Sequence, residues 1–151
     1  MAKKYSNVID LDSAKYVYDD SDMLHIPFEQ RKVLKRKANP DWPNNYIKQI
    51  KQCKKDYDII LVWDREDIIK EYLNNNIGFM LCYPSKEDLK YYISRFKNRG
   101  NSEEYIEWKI NQYGEKIKNF EELNVEKIVL TDNETLENYL IKNKYKLVKM
   151  L

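Results

Sequence analysis

Three short runs of apolar residues constrain the fold of this chain most strongly, because none of them shows the polar alternation of a half-exposed strand. The runs lie within residues 58–63, 78–83 and 126–131, and a shorter one lies within residues 7–11. A strand that is apolar at consecutive positions needs cover on both faces, which is typical of parallel sheets. These four segments therefore predict a three-layer α/β/α fold with a mainly parallel sheet.

Helical patterns separate the predicted strands. Apolar side chains recur at helical spacing in three segments, residues 65–75, 86–97 and 102–118. At the start of the second segment, Ser85 with Asp88 is typical of a capping box. Strands that alternate with helices predict right-handed crossovers between parallel strands. The length fits one domain over residues 1–151.

Charge is nearly balanced overall but uneven along the chain. The net charge is +2 at pH 7, so the whole chain gives no argument for nucleic acid, and nucleic acid is not the partner that we expect. Residues 31–55, however, hold nine basic side chains against one acid, Asp41. This block favours a phosphate-bearing partner, although a solvated helical face explains the same lysines equally well.

Cysteine use and hydropathy indicate the compartment. Cys53 and Cys82 show no metal-ligand spacing, and Cys82 is interpreted as a small core residue rather than a nucleophile. Two such thiols indicate a reducing compartment. No run reaches the roughly 18 apolar residues of a membrane helix, and residues 1–5 lack the apolar core of a signal peptide. We therefore expect a cytoplasmic protein with no membrane partner.

A block of motifs in the second half carries a resemblance to a known family. A predicted strand ends at Pro84–Ser85, a helix follows, and Arg95 and Arg99 precede a Gly-Asn break and an acidic helix start after Ser102. This order resembles nucleoside monophosphate kinases, most closely guanylate kinase. Together with residues 7–13 and 39–46, it also resembles small kinase-like P-loop proteins carried by bacteriophages.

The resemblance implies one nucleotide-kinase-like domain of the P-loop fold. Residues 14–55 would form the insert on the acceptor side, and residues from about 95 to 118 would form a lid-like segment. The phosphate-binding loop is absent, because the only glycines, Gly78, Gly100 and Gly114, cannot form Gly-x-x-x-x-Gly-Lys-Ser/Thr. The family's first strand is missing together with that loop.

The missing loop has a catalytic and a structural consequence. Loss of a single transition-state donor costs about 3–4 kcal/mol, so loss of the whole loop implies weak or no phosphotransfer by this protein alone. The missing strand leaves two apolar edges, on residues 58–63 and 78–83. We expect these strands to pair directly, or to receive a filler strand from residues 145–151 or from a second copy.

Two acids at a predicted strand end are the first candidate site residues. Asp10 and Asp12 lie where open α/β sheets bind ligands, and alternate strand residues face the same side. The resemblance implies that they bind Mg²⁺ or the acceptor hydroxyl, with Asp64 after a second strand as a further ligand. The other interpretation is that one of the pair caps a following turn. Mg²⁺ is the only cofactor expected.

Two arginines are the second candidate site residues. Arg95 and Arg99 lie one helical turn apart, and two guanidinium groups would clamp a phosphoryl group. The resemblance makes them catalytic together with Asp12, whereas the other interpretation makes them solvated surface residues. We expect both arginines to converge with Asp10 and Asp12 on one cleft at the carboxyl ends of the strands.

Contacts to the nucleotide complete the predicted site. The candidates for them are six residues, Asp10, Ser13, Trp42, Asn45, Tyr46 and Asn101. In the block at residues 39–46, which is dense in loop-forming residues, Trp42 or Tyr46 would stack on a base, and Asn44 or Asn45 would read its edge. Equally, Trp42 is explained as a hydrophobic staple at a helix start.

Three function hypotheses follow, one of which is a nucleic-acid-binding module that uses the basic block at residues 31–55. The first is a nucleotide-binding, nucleoside monophosphate kinase-like protein with weak or no phosphotransferase activity on its own. Its ligand would be a nucleotide or a related phosphorylated small molecule. The alternative is a non-catalytic binding or sequestering protein of phage origin that acts on a nucleotide signal or on a host protein.

Overall fold

The computed structural model describes residues 1–150 and has a mixed α/β fold, as predicted. Thirteen helices and strands in this range follow one another as β1 (Val8–Asp10), α1 (Ala14–Val17), β2 (Tyr18–Asp19), α2 (Phe28–Arg31), β3 (Lys37–Ala38), α3 (Asn44–Cys53), β4 (Ile59–Leu61), α4 (Glu66–Asn74), β5 (Met80–Pro84), α5 (Leu89–Asn98), α6 (Glu103–Glu122), β6 (Glu126–Leu130) and α7 (Leu136–Lys142). Short 3₁₀ turns occupy Ser21–Met23 and Lys86–Asp88. Within the described range no helix has both the length and the apolar character needed to span a membrane.

The chain divides into two compact units. The first unit comprises Met1–Gly78 with Lys146–Leu151, and the second comprises Phe79–Tyr145. Each unit contains a two-stranded parallel sheet, β1 with β4 in the first and β5 with β6 in the second. The kinase-like domain predicted over residues 1–151 stays a prediction.

The first unit is built around the β1–β4 ladder, whose register pairs Val8 with Ile59. Helices α3 and α4 supply most of its core because their apolar residues recur on one face. The buried residues of the two helices are Tyr46, Ile47, Ile50, Cys53, Ile68, Ile69 and Tyr72. The apolar runs at residues 7–11 and 58–63 therefore do form parallel strands, although each strand is only three residues long.

The second unit is built around the β5–β6 ladder and the long helix α6. Leu81 and Tyr83 of β5 are buried, and the Tyr83 ring lies 5.6 Å from the ring of Phe120. Helix α6 begins after Ser102, whose Oγ accepts a hydrogen bond from the Tyr105 N–H at 3.2 Å. Two acids in the first turn of α6 complement the helix dipole.

The break between α5 and α6 lies where the sequence predicts it. Gly100 has a φ of +76°, a backbone angle that residues with a Cβ rarely adopt. The Asn101 Nδ2 group donates to the Phe96 carbonyl at 3.1 Å. Asn101 therefore satisfies a backbone group at the end of α5.

Three local predictions need correction. The described residues contain no ladder between β4 and β5, because each strand pairs within its own unit. The C-terminal segment is not a filler strand for them, since Lys149 forms an isolated antiparallel bridge with Tyr5. The capping box is also wrong, because Ser85 makes no side-chain cap bond and a 3₁₀ turn precedes α5.

Residues 18–38 form an excursion within the first unit, which begins and ends at the short antiparallel pair β2–β3. Its centre is an ion network of Asp20, Arg31 and Arg36. The Arg36 side chain is only 4% exposed, and its Nε and Nη2 groups donate to the two Asp20 oxygens at 2.7 Å each. Arg31 Nη1 lies 3.4 Å from Asp20. The network holds the pKa of Asp20 below its usual value, mainly through the hydrogen bond from Arg36.

Candidate functional site

Tyrosine hydroxyls join the carboxyl ends of β1 and β4 in the first unit. The Tyr46 hydroxyl donates to the Leu11 carbonyl at 3.0 Å and accepts from the Trp63 N–H at 3.1 Å. The Tyr72 hydroxyl donates to the Trp63 carbonyl at 2.9 Å. Burial raises the pKa of both tyrosines. These neutral hydroxyls therefore satisfy backbone groups where the two strands end.

Tyr46 occupies the core instead of a ligand surface. Its relative exposure is 0%, so its ring presents no accessible face to a base. Asn45 is also engaged, because its Nδ2 group donates to the Tyr16 carbonyl at 2.9 Å and its Oδ1 accepts from the Tyr46 N–H. The ring and the amide that were predicted to contact a nucleotide thus hold the start of α3 in place.

Trp42 lies just before α3 and is half-buried. Its indole packs 5.4 Å from the Tyr46 ring and 6.2 Å from the Trp63 ring, measured between centroids. These contacts tie the start of α3 to the residues after β4, as a hydrophobic staple does at a helix start. Stacking of a base on Trp42 stays a prediction.

Asp12 caps the turn that opens α1. Its Oδ1 accepts from the Ala14 N–H at 3.0 Å, and its Oδ2 lies 3.3 Å from Lys32 Nζ. The capping interpretation of the acidic pair is therefore confirmed for Asp12. Asp10 is exposed at the end of β1, and Ser13 makes no side-chain cap bond at the start of α1.

The predicted metal ligands do not form a cluster of three. No group of three or more His, Cys, Asp or Glu side chains within residues 1–150 is arranged to hold a metal ion. Asp64 is half-buried after β4, and its negative charge adds to the burial that raises the pKa of Tyr72. Binding of Mg²⁺ by Asp10, Asp12 and Asp64 stays a prediction.

The basic block at residues 31–55 is partly neutralised within the first unit. Arg31 and Arg36 pair with Asp20, Lys32 pairs with Asp12, and Lys37 pairs with Asp22. The carboxylates come from residues before the block, so a count of charges within it could not reveal them. Four of the five basic side chains at residues 31–37 are therefore already engaged by carboxylates of the first unit.

Arg95 lies at the carboxyl edge of the β5–β6 sheet in the second unit. The residue is half-buried on α5. Its Nη2 group donates to the carbonyl oxygen of Asn133 at 2.9 Å and to the side-chain oxygen of the same residue. Asn133 follows the end of β6. The Arg95 guanidinium also lies 5.0 Å from the centroid of the Tyr92 ring.

The charge of Arg95 is not neutralised by an acid. Among the described residues, its side-chain partners are Asn133 and Tyr92, and no carboxylate forms an ion pair with it. Arg99, one turn further along, is exposed at the end of α5. One of the two arginines is therefore fixed in position, and the other is on the surface.

A buried carboxylate, Asp88, lies four residues before Tyr92, and the sequence predicted it only as part of a capping box. Asp88 is only 6% exposed, and its Oδ2 has no hydrogen-bond partner within residues 1–150. The Tyr113 hydroxyl donates to the Pro84 carbonyl at 2.6 Å. Burial raises the pKa of Tyr92 and of Tyr113, and the Asp88 charge adds to this effect. The i, i+4, i+7 spacing of Asp88, Tyr92 and Arg95 is the signal that would have grouped them.

We expect Cys82 to react slowly with alkylating reagents. Burial raises the pKa of its thiol to about 11, so very little thiolate is present at pH 8. In a variant with Cys53→Ser, alkylation of Cys82 should be about 100-fold slower than that of an exposed cysteine introduced by Ser94→Cys. Mass spectrometry of timed samples measures both rates. Equal rates would contradict the interpretation of Cys82 as a core residue.

The two halves of the predicted site belong to different units. Asp10 and Asp12 lie in the first unit, whereas Arg95 and Arg99 lie in the second. Their convergence on one cleft therefore stays a prediction. Comparison of the chain with protein-family models, curated proteins and solved structures finds no match. The resemblance to nucleoside monophosphate kinases thus rests on sequence motifs alone.

Proposed function

We propose that this protein binds a nucleotide or a related phosphorylated small molecule, and that Arg95 contacts its phosphate. The proposal includes a kinase-like three-layer α/β scaffold with weak or no phosphotransferase activity of its own. The observation that carries it is the Arg95 guanidinium, which is fixed at the carboxyl edge of a parallel sheet and keeps its charge. Ligands of open α/β sheets bind at this edge.

The bonding of Arg95 leaves donors for an oxyanion. Both bonds to Asn133 use Nη2, so Nε and Nη1 are not engaged by Asn133. Arg36 is the contrasting case, because its Nε and Nη2 groups are both bonded to Asp20. The Nε–H and Nη1–H groups lie on different edges of the guanidinium, so each can donate singly to a phosphate oxygen, and the positive charge strengthens both hydrogen bonds.

The choice of a nucleotide among phosphorylated compounds rests on the resemblance of residues 83–104 to nucleoside monophosphate kinases. The expectation of little phosphotransfer rests on the absence of a phosphate-binding loop. The sequestering hypothesis also describes a protein that binds a nucleotide without converting it.

Calorimetric titration with a panel of nucleoside mono-, di- and triphosphates tests the proposal. Arg95→Gln should weaken binding about tenfold or more, because it removes a charge-assisted contact. Arg65→Gln is the matched control, since it changes the net charge equally but removes an exposed arginine that already pairs with Asp67. This control should bind within about twofold of the wild type.

Two results would contradict the proposal. One is the absence of binding to every member of the panel at millimolar concentration. The other is an equal loss of affinity in the two arginine variants, which would place the phosphate elsewhere. A turnover assay with ATP and each monophosphate then separates a kinase from a sequestering protein.

A further inference from the structure

We propose that Asn133 is a positioning residue, which holds Arg95 through neutral oxygens so that the guanidinium is fixed in place and keeps its full charge for an oxyanion. This inference rests on the proposed function, because it concerns the same site. It concerns a residue in the loop between β6 and α7 that no motif in the sequence singled out.

The turn after β6 has an unusual backbone. Asp132 and Asn133 have φ angles of 53° and 59°, and the Glu134 N–H donates to the Thr131 carbonyl at 2.8 Å. Two successive positive φ angles within one such hydrogen bond are the pattern of a type I′ turn. Asn, Asp and Gly tolerate this backbone, whereas other residues are strained in it.

The turn brings two acceptors of one residue to one donor. The carbonyl oxygen and the side-chain oxygen of Asn133 both accept from Arg95 Nη2. The Tyr92 ring lies against the same guanidinium. These contacts restrict the rotation of a long side chain before any ligand binds, which lowers the entropy that binding must otherwise overcome.

The side-chain amide of Asn133 is uncharged, so it holds Arg95 without offsetting the positive charge of the guanidinium. An aspartate tolerates the same φ angles and would place a carboxylate oxygen where the amide oxygen now lies. Such a carboxylate would pair with Arg95 and offset its charge, and the site would then repel a phosphate. The structure therefore distinguishes Asn133 as a residue whose side chain, and not only its backbone, sets the affinity.

Three variants test the role of Asn133, with inorganic phosphate and adenosine 5′-monophosphate as the ligands. Asn133→Asp should leave the unfolding temperature nearly unchanged but weaken binding of both ligands about tenfold or more. Asn133→Gly keeps the turn and the backbone acceptor, so we expect a loss of about threefold. Asn138→Asp is the control, because it adds the same charge at an exposed position on α7. It should bind within about twofold of the wild type.

A spectroscopic measurement keeps this inference separate from the proposed function. The Nη2–H signals of Arg95 in a nitrogen-edited NMR spectrum should be resolved in the wild type and averaged with those of Nη1 in Asn133→Gly. An unchanged signal in the glycine variant, or full affinity in Asn133→Asp, would overturn the positioning role. If the wild type binds no phosphorylated compound, the proposed function fails, and the NMR comparison alone then decides whether Asn133 positions Arg95.

Discussion

Replacing Arg36 with methionine is expected to lower the free energy of opening of the excursion at residues 18–38 by about 3 kcal/mol. The Arg36 side chain is 4% exposed and donates to both oxygens of Asp20. Its Nη2 group also donates to the Ala14 carbonyl at 2.7 Å. Removal of the arginine would leave a mostly buried carboxylate with only the longer contact to Arg31. Hydrogen exchange of the amides in the excursion measures the change.

Lys37→Met is the matched control for this prediction. It removes one charge from the adjacent residue, but Lys37 and Asp22 form an exposed pair. We therefore expect little change in exchange. If the two variants behaved alike, the Asp20 network would not be what holds the excursion.

The same network predicts a dependence of stability on pH. The pKa of Asp20 lies below its usual value in the folded protein. The stabilisation that its ionised carboxylate gives to the excursion is therefore fully present above the unfolded pKa of about 3.9. The contribution is lost as the pH falls through the lower, folded pKa. Protection of the excursion should therefore decrease in acid in the wild type, and this decrease should be smaller in Arg36→Met.

Replacing Tyr46 with phenylalanine is expected to lower the free energy of unfolding of the first unit by about 2 kcal/mol. The substitution removes only a hydroxyl, but that hydroxyl satisfies the Leu11 carbonyl and the Trp63 N–H. Both backbone groups would then lie near the core without that partner, and unpaired polar groups in such places are costly. Urea denaturation followed by tryptophan fluorescence measures the loss, because Trp63 and Trp42 lie beside the substituted ring.

Two further tyrosine variants should lose less unfolding free energy than Tyr46→Phe, because their hydroxyls make fewer hydrogen bonds. Tyr72→Phe removes the bond to the Trp63 carbonyl, so its cost should be smaller, about 1 kcal/mol. Tyr57→Phe should cost little, since the described residues give the Tyr57 hydroxyl no hydrogen bond. A Tyr46→Phe variant as stable as the Tyr57 variant would show that the hydroxyl does not stabilise the strand ends.

The sequence predicted the local structure better than the pairing. The apolar runs at 58–63 and 78–83 correctly located β4 and β5, and Gly100 correctly located the break between two helices. Neighbouring strands along the chain often pair, and we therefore expected β4 to pair with β5. The structure instead pairs β4 with β1, which lies about fifty residues earlier. Such long-range choices depend on packing that periodicity does not record.

The candidate site shows the same limit. Arg95 was identified from its motif, but Asn133 lies 38 residues away and only the fold brings them together. Asp12 and Lys32 were counted separately, as a metal ligand and as part of a basic block, whereas they form one ion pair. Tyr46 was predicted as a ligand contact because it lies in a loop-rich segment, and its complete burial follows from helical periodicity within α3.

The closed base of the excursion has a consequence for how this protein can vary. Tyr18 lies opposite Ala38 and Asp19 opposite Lys37, so the excursion begins and ends at one place within the first unit. The cost of closing a loop grows only with the logarithm of its length. Residues can therefore be inserted between these two pairs, away from Asp20, Arg31 and Arg36, without a change in the register of β1 with β4. This segment is where the fold tolerates a longer connection.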